Sequence, residues 1–177
     1  MKNKIFLLGL VAVLFACNQT EKKQVDTKDS TKKSSAVTVN NVEIKDAKKA
    51  TIFAAYLTLK DALVQTNVAE TAAAAKKLQP LLAEYEGCEK NAIMAGEIAK
   101  SDNIEVQRAT FTNLSTDLIA LLKNAELTTG TIYVQHCPMA NKGDGGDWLS
   151  ASKEIRNPYY GDKMLNCGSV VEEINSK

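Results

Sequence analysis

Ile52-Phe53-Ala54-Ala55-Tyr56-Leu57-Thr58-Leu59-Lys60-Asp61-Ala62-Leu63 is the stretch that decides the fold. Ile52, Tyr56, Leu59 and Leu63 recur at intervals of four, three and four, the stripe of an amphipathic helix. The same texture continues from about Asp46 to Leu127. Asn67 followed by Glu70 predicts a capped second helix with a stripe of Ala75, Leu78, Leu82 and Tyr85, in which Pro80 is a potential kink. A weaker third segment runs from Glu89 to Lys100 and carries Ile93, Met94 and Ile98. Asp102 with Glu105 then predicts the cap of a fourth helix striped by Phe111, Leu114, Leu118 and Leu121. Four such stripes close around one core. The expected fold is therefore all-α, an antiparallel bundle of about four helices followed by an irregular, loop-rich C-terminal segment.

After Gly130 the character of the chain changes. Thr131-Ile132-Tyr133-Val134 is β-branched and aromatic, enough for one short strand. Asn141 to Asp147 is glycine-rich and polar, and Asn157-Pro158 favours a turn. This segment holds the only histidine, two of four cysteines and two of four methionines. They form two clusters, His136-Cys137-Pro138-Met139 and Met164-Leu165-Asn166-Cys167. Thiolate and thioether are soft donors that favour Cu(I) over hard cations. Cys137 and Cys167 also suit a disulfide if the compartment is oxidising, and methionine is a common core filler. His136 adds little beside Cys137, because neighbours in an extended segment point to opposite faces. Cys88 and Met94 read as packing residues, as do Tyr159 and Tyr160. Trp148 reads as an anchor for the loop, with a cation–π contact to bound metal as the sharper alternative. Arg156 reads as a partner for Glu154 or Asp162.

The N-terminus reads as a targeting signal over residues 1–16. Lys2 and Lys4 precede an apolar run, Ile5 to Phe15, too short to span a bilayer, which takes ~20 residues. The run ends in Leu14-Phe15-Ala16-Cys17, which resembles a bacterial lipobox and implies lipidation of Cys17. Residues 17–45 are polar and lysine-rich, the composition of a disordered tether. The expected globular domain is 46–177. Removing the signal leaves 20 basic against 21 acidic side chains, a net charge of −1. Nothing in that balance offers the clustered basic face that nucleic acid requires. The expected location is the periplasmic face of an outer or inner membrane, with the cell surface as a further option.

Several runs carry a family resemblance. Tyr133 to Ala140, Trp148-Leu149-Ser150, Glu154 to Gly161 and Lys163 to Gly168, with Gln107-Arg108, Phe111 and Leu114-Ser115 upstream, are similar to a domain-of-unknown-function family numbered three-three-four-seven. The resemblance runs from about Ala50 to Ile174. Such domains occur on short lipoproteins and at the C-termini of periplasmic adaptor subunits of heavy-metal efflux pumps. The resemblance thus implies copper or silver handling, with an efflux adaptor as partner. It favours Cys137, Met139, Met164 and Cys167 as ligands over His136.

Two expectations follow. In the first, the chain is a membrane-anchored protein that binds Cu(I) or Ag(I) and buffers or delivers it, zinc being the less suited metal because thioethers are poor ligands for it. In the second, Cys137 and Cys167 form a structural disulfide in an interaction module that recognises an envelope protein through Trp148 to Tyr160. Both require the intervening loop to fold back and bring the cysteines together. No redox Cys-x-x-Cys, phosphate loop or metalloprotease helix is present, so catalysis is not expected.

Overall fold

A computed structural model describes residues 38–39 and 41–176. The expected signal, most of the expected tether, and Cys17 lie outside the described residues. Two short strands, β1 (Thr38–Val39) and β2 (Val42–Ile44), come first. Four helices follow: α1 (Ala47–Val64), α2 (Val68–Ala83), α3 (Glu89–Lys100) and α4 (Ile104–Lys123). The chain then forms β3 (Leu127–Thr129), β4 (Thr131–Cys137), β5 (Gly146–Ser150) and β6 (Ser169–Asn175). Among the described residues no helix is long and apolar enough to cross a membrane.

Local chemistry sets the helix boundaries. Asp46 caps α1 by accepting from the backbone amides of Lys48 and Lys49, and Asn67 caps α2 by accepting from Glu70. The cap of α4 is Asn103, one residue later than the expected Asp102; its Oδ1 accepts from Glu105 and Val106. Pro80 sits inside α2, which runs unbroken to Ala83. The stripes behave as their spacing requires: Ile52, Tyr56, Leu59 and Leu63 are buried, as are Ala75, Leu78 and Leu82, and Phe111, Leu114 and Leu118. In α3 the face differs from the expected one. Ile93 is exposed, and Ala92, Ala95 and Ile98 turn inward. α2 and α3 pack closely there: a Cβ on Gly96 would meet Nε2 of Gln79, the end of a flexible side chain, at 2.7 Å.

The fold is not purely all-α. The helices form the expected bundle, α2 lying against α1 and α3, and α3 against α4. Two three-stranded antiparallel sheets accompany it, ordered β1-β2-β3 and β5-β4-β6. The first sheet claims part of the segment expected as tether, since Val42 and Ile44 are buried against the core with Leu127. In the second, β4 is the central strand and runs to Cys137, three residues beyond the expected strand. Sheet and bundle share one core through an aromatic series. Tyr56 stacks on Phe111 with ring centroids 5.5 Å apart, Phe111 meets Tyr159 at 5.9 Å, and Tyr159 meets the edge of Trp148 at 6.0 Å. The Tyr56 hydroxyl bonds Ser115 Oγ at 2.5 Å and accepts from the amide of Leu149 at 3.1 Å. Trp148 is therefore a core residue of β5 and part of the bundle's interior.

Candidate functional site

Cys137 ends β4, opposite Gly146 of β5. It is fully buried, whereas Cys167, just before β6, is half-buried. The two sulfurs lie 3.1 Å apart in a thiol–thiol hydrogen bond, well beyond a disulfide's ~2.05 Å. No disulfide joins Cys88, Cys137 or Cys167 in this structure. The Cys137 contact is the main reason the Cys167 thiol is held above its ordinary pKa, with partial burial second.

Each cysteine sits at one end of a hydrogen-bonded turn that also carries a methionine. The amide of Ala140 donates to the carbonyl of Cys137 at 3.3 Å, closing a turn that presents Met139. The amide of Cys167 donates to the carbonyl of Met164 at 3.0 Å, so Met164 and Cys167 are the two ends of the second turn. Met139 is 52% exposed, which removes core filling as its role. Met164 is half-buried. The Tyr160 hydroxyl donates to the carbonyl of Met139 at 2.5 Å and ties the first turn to the 157–163 loop.

His136 lies apart from this pair. On β4 it occupies the face opposite Cys137, and its Nδ1 bonds Oδ1 of Asp147, its cross-strand neighbour, at 2.7 Å. Among the described residues no three His, Cys, Asp or Glu side chains converge on one point. The two cysteine sulfurs are brought into contact; Met139 and Met164 share backbone turns with them.

Residues that the sequence reading left without a role hold this geometry. Asn157, fully buried, donates from Nδ2 to the carbonyl of Cys167 at 2.8 Å, while its Oδ1 accepts from the amides of Tyr159 and Tyr160 at 2.8 and 3.2 Å. Arg108, buried on the core face of α4, donates from Nε to the carbonyl of Pro158 at 2.9 Å and from Nη2 to the carbonyl of Leu63 and to Thr66 Oγ1. Burial lowers its pKa from the usual arginine value, and nearby Glu105 partly opposes that. One guanidinium thus fastens the C-terminal loop to the end of α1. Gly168 completes the approach. Its φ of +145° is a glycine conformation, and a Cβ there would lie 2.7 Å from the carbonyl oxygen of His136 and 2.9 Å from the Trp148 ring. A signal for Arg108 was present in the spacing. Arg108, Phe111, Ser115, Leu118 and Leu122 share one helical face, which puts two polar residues on the core side.

Arg156 approaches Glu154 at 3.7 Å, both exposed. Trp148 and Tyr159 are buried, so they do not form the recognition surface expected from Trp148 to Tyr160. Cys88 is buried and Met94 packs half-buried on the core.

The arrangement defines a helical-bundle domain with a sheet-mounted thiol pair. Residues 52–130 match the model of the family described as Protein of unknown function (DUF3347), the family that the sequence resembles. That match covers most of the bundle, from within α1, and ends before the cysteine pair. No curated protein and no solved structure matches the chain.

Proposed function

We propose that this chain is an extracytoplasmic, membrane-anchored protein that binds a soft monovalent metal, Cu(I) or Ag(I), through Cys137 and Cys167, and buffers it or passes it to an efflux system. The observation that carries the reading is the 3.1 Å contact between two cysteine sulfurs, each on a turn with a methionine, one of them exposed. Two thiolates satisfy a soft cation that accepts low coordination, and thioethers from Met139 and Met164 are the natural further donors. A tetrahedral zinc site asks for three or four convergent Cys, His or carboxylate ligands, and among the described residues only two such side chains, Cys137 and Cys167, meet here. Each thiol must lose its proton to ligate, so metal uptake releases protons and weakens as pH falls. The anchor would be the lipidated Cys17, and the recipient a heavy-metal efflux adaptor, as the family resemblance implies. The test is an anaerobic Cu(I) titration of the reduced chain against a chromogenic chelator. Competition near one metal per chain supports the reading, and none at equimolar chelator removes it.

The same contact favours a second reading, a Cys137–Cys167 disulfide in an interaction module of the envelope. About 1 Å of closure, with loss of two protons and transfer of two electrons to a thiol oxidant of an oxidising compartment, turns the contact into a bond. Removing such a staple typically costs ~2–5 kcal/mol. Thiol counting on denatured protein taken from cells separates the two, because free Cys88, Cys137 and Cys167 rule out the staple.

A further inference from the structure

A second, unrelated site lies at the other end of β5. Ser150 and Gly146, the two ends of that strand, are separated by about 14 Å at ~3.4 Å per residue. Between α1 and the segment after Ser150 lies a cavity of about 350 Å³. Its floor includes Lys60, only 6% exposed, and its rim carries Asp61, Gln65, Ser152, Glu154 and Arg156. A lysine this buried is rare without full pairing. Lys60 makes one ion pair, with Asp61 at 2.5 Å, and Asp61 is itself half-exposed. An ammonium has three donors, so Lys60 retains capacity at the base of an open cavity.

The wall opposite Lys60 is ordered rather than loose. The Ser150 hydroxyl donates to the carbonyl of Ser152 at 2.8 Å and accepts from its amide at 3.1 Å, and Ser152 Oγ accepts from the amide of Glu154. Gln135 of β4, fully buried, braces this wall from behind by donating to the carbonyls of Ser152 and Glu154 at 2.9 and 3.1 Å. Arg156 on the rim has a single long contact to Glu154 at 3.7 Å, which leaves its planar fork available. The lining holds two cations and two carboxylates, Lys60 with Asp61 and Arg156 with Glu154; each cation keeps donors beyond its one carboxylate contact, and a ligand carboxylate that takes over the long Arg156–Glu154 contact would be held by both.

We propose that this cavity binds a small carboxylate of about amino-acid size, with Lys60 and Arg156 holding the carboxylate group. The site is independent of the thiol pair and of any metal reading.

The test uses isotope-labelled full-length chain and backbone amide NMR, titrated separately with glutamate, succinate and inorganic phosphate. The expected result is saturable shifts of the amides of Lys60–Gln65 and Ser150–Arg156 with glutamate or succinate, with Kd in roughly the millimolar range. Arg156→Gln, at an exposed position that leaves folding intact, weakens binding about tenfold. Lys60→Met abolishes saturation, and Cys137→Ser leaves it unchanged. No saturable shift with either carboxylate overturns the proposal. So does binding of phosphate alone, or unaltered carboxylate binding in Arg156→Gln.

Discussion

Replacing Asn157 by alanine tests how the thiol pair is positioned. The side chain makes three hydrogen bonds, one to the carbonyl of Cys167 and two from the amides of Tyr159 and Tyr160. All are made by a fully buried residue. Each is worth ~0.5–1.5 kcal/mol, and a buried group left unpaired costs ~1–3 kcal/mol. The three groups released are not all lost to solvent, so the expected destabilisation is roughly 2–4 kcal/mol. For a domain of this size that lowers Tm by about 6–12 °C. The backbone bonds from Asn157 N–H to Leu165 and from Gly161 N–H to the Asn157 carbonyl survive the change. The loop therefore loosens around Cys167 without melting, and Cu(I) affinity falls together with Tm. Asn157→Asp separates the two halves of the effect. It keeps acceptors for Tyr159 and Tyr160 but buries a carboxylate oxygen against the Cys167 carbonyl, so it should destabilise at least as much as alanine, and less at low pH where the carboxyl is protonated and can donate. The assays are thermal unfolding followed by circular dichroism and chelator competition for Cu(I). A Tm change under about 2 °C for Asn157→Ala, with unchanged affinity, would refute the positioning argument.

Other consequences follow from single contacts. Gly168→Ala drives a Cβ against the His136 carbonyl and the Trp148 ring, so it should destabilise by about 1–3 kcal/mol and separate the cysteines, read as loss of disulfide formation under mild oxidant. Met139→Leu, at an exposed site, should leave stability within about 0.5 kcal/mol yet weaken Cu(I) binding about tenfold; equal affinity in chelator competition would remove Met139 from the ligand set. Burial raises the pKa of both Tyr56 and Tyr159. The folded state then holds protons that the unfolded chain releases near pH ~10, so stability is retained below that pH and lost as pH rises above it. The share of tyrosinate absorbance due to these two of the five tyrosines should therefore appear only together with loss of helical circular dichroism, and complete tyrosine ionisation in folded protein would contradict it.

Much of the bundle was legible because helix periodicity is local. The stripes on α1, α2 and α4 and the Asn67 cap need only neighbours three and four residues apart. The sheets were not, because strand pairing depends on distant partners. Thr131 to Cys137 becomes a seven-residue central strand only once β5 and β6 flank it, and Val42 and Ile44 become core only through β3. Of the site, the cysteines and methionines were visible as residue types clustered in sequence. What aligns them was not: Asn157 read as one half of a turn, and Arg108 read as a family match without a job. Their roles lie in contacts across 10 and 50 residues of chain, which no local pattern encodes. Trp148 reads as an anchor packed on the bundle, and it is one; its contact with Tyr159, which in turn meets Phe111, is what no local pattern shows.

The central claim is that Cys137 and Cys167 act as one soft-metal site. It is tested most directly by anaerobic Cu(I) affinities for the reduced chain, Cys137→Ser, Cys167→Ser and the double variant, measured against the same chelator. Because the sulfurs touch, each single change should cost nearly as much as both together, a strongly non-additive cycle. Additive losses, or affinity retained in either single variant, would contradict a shared site.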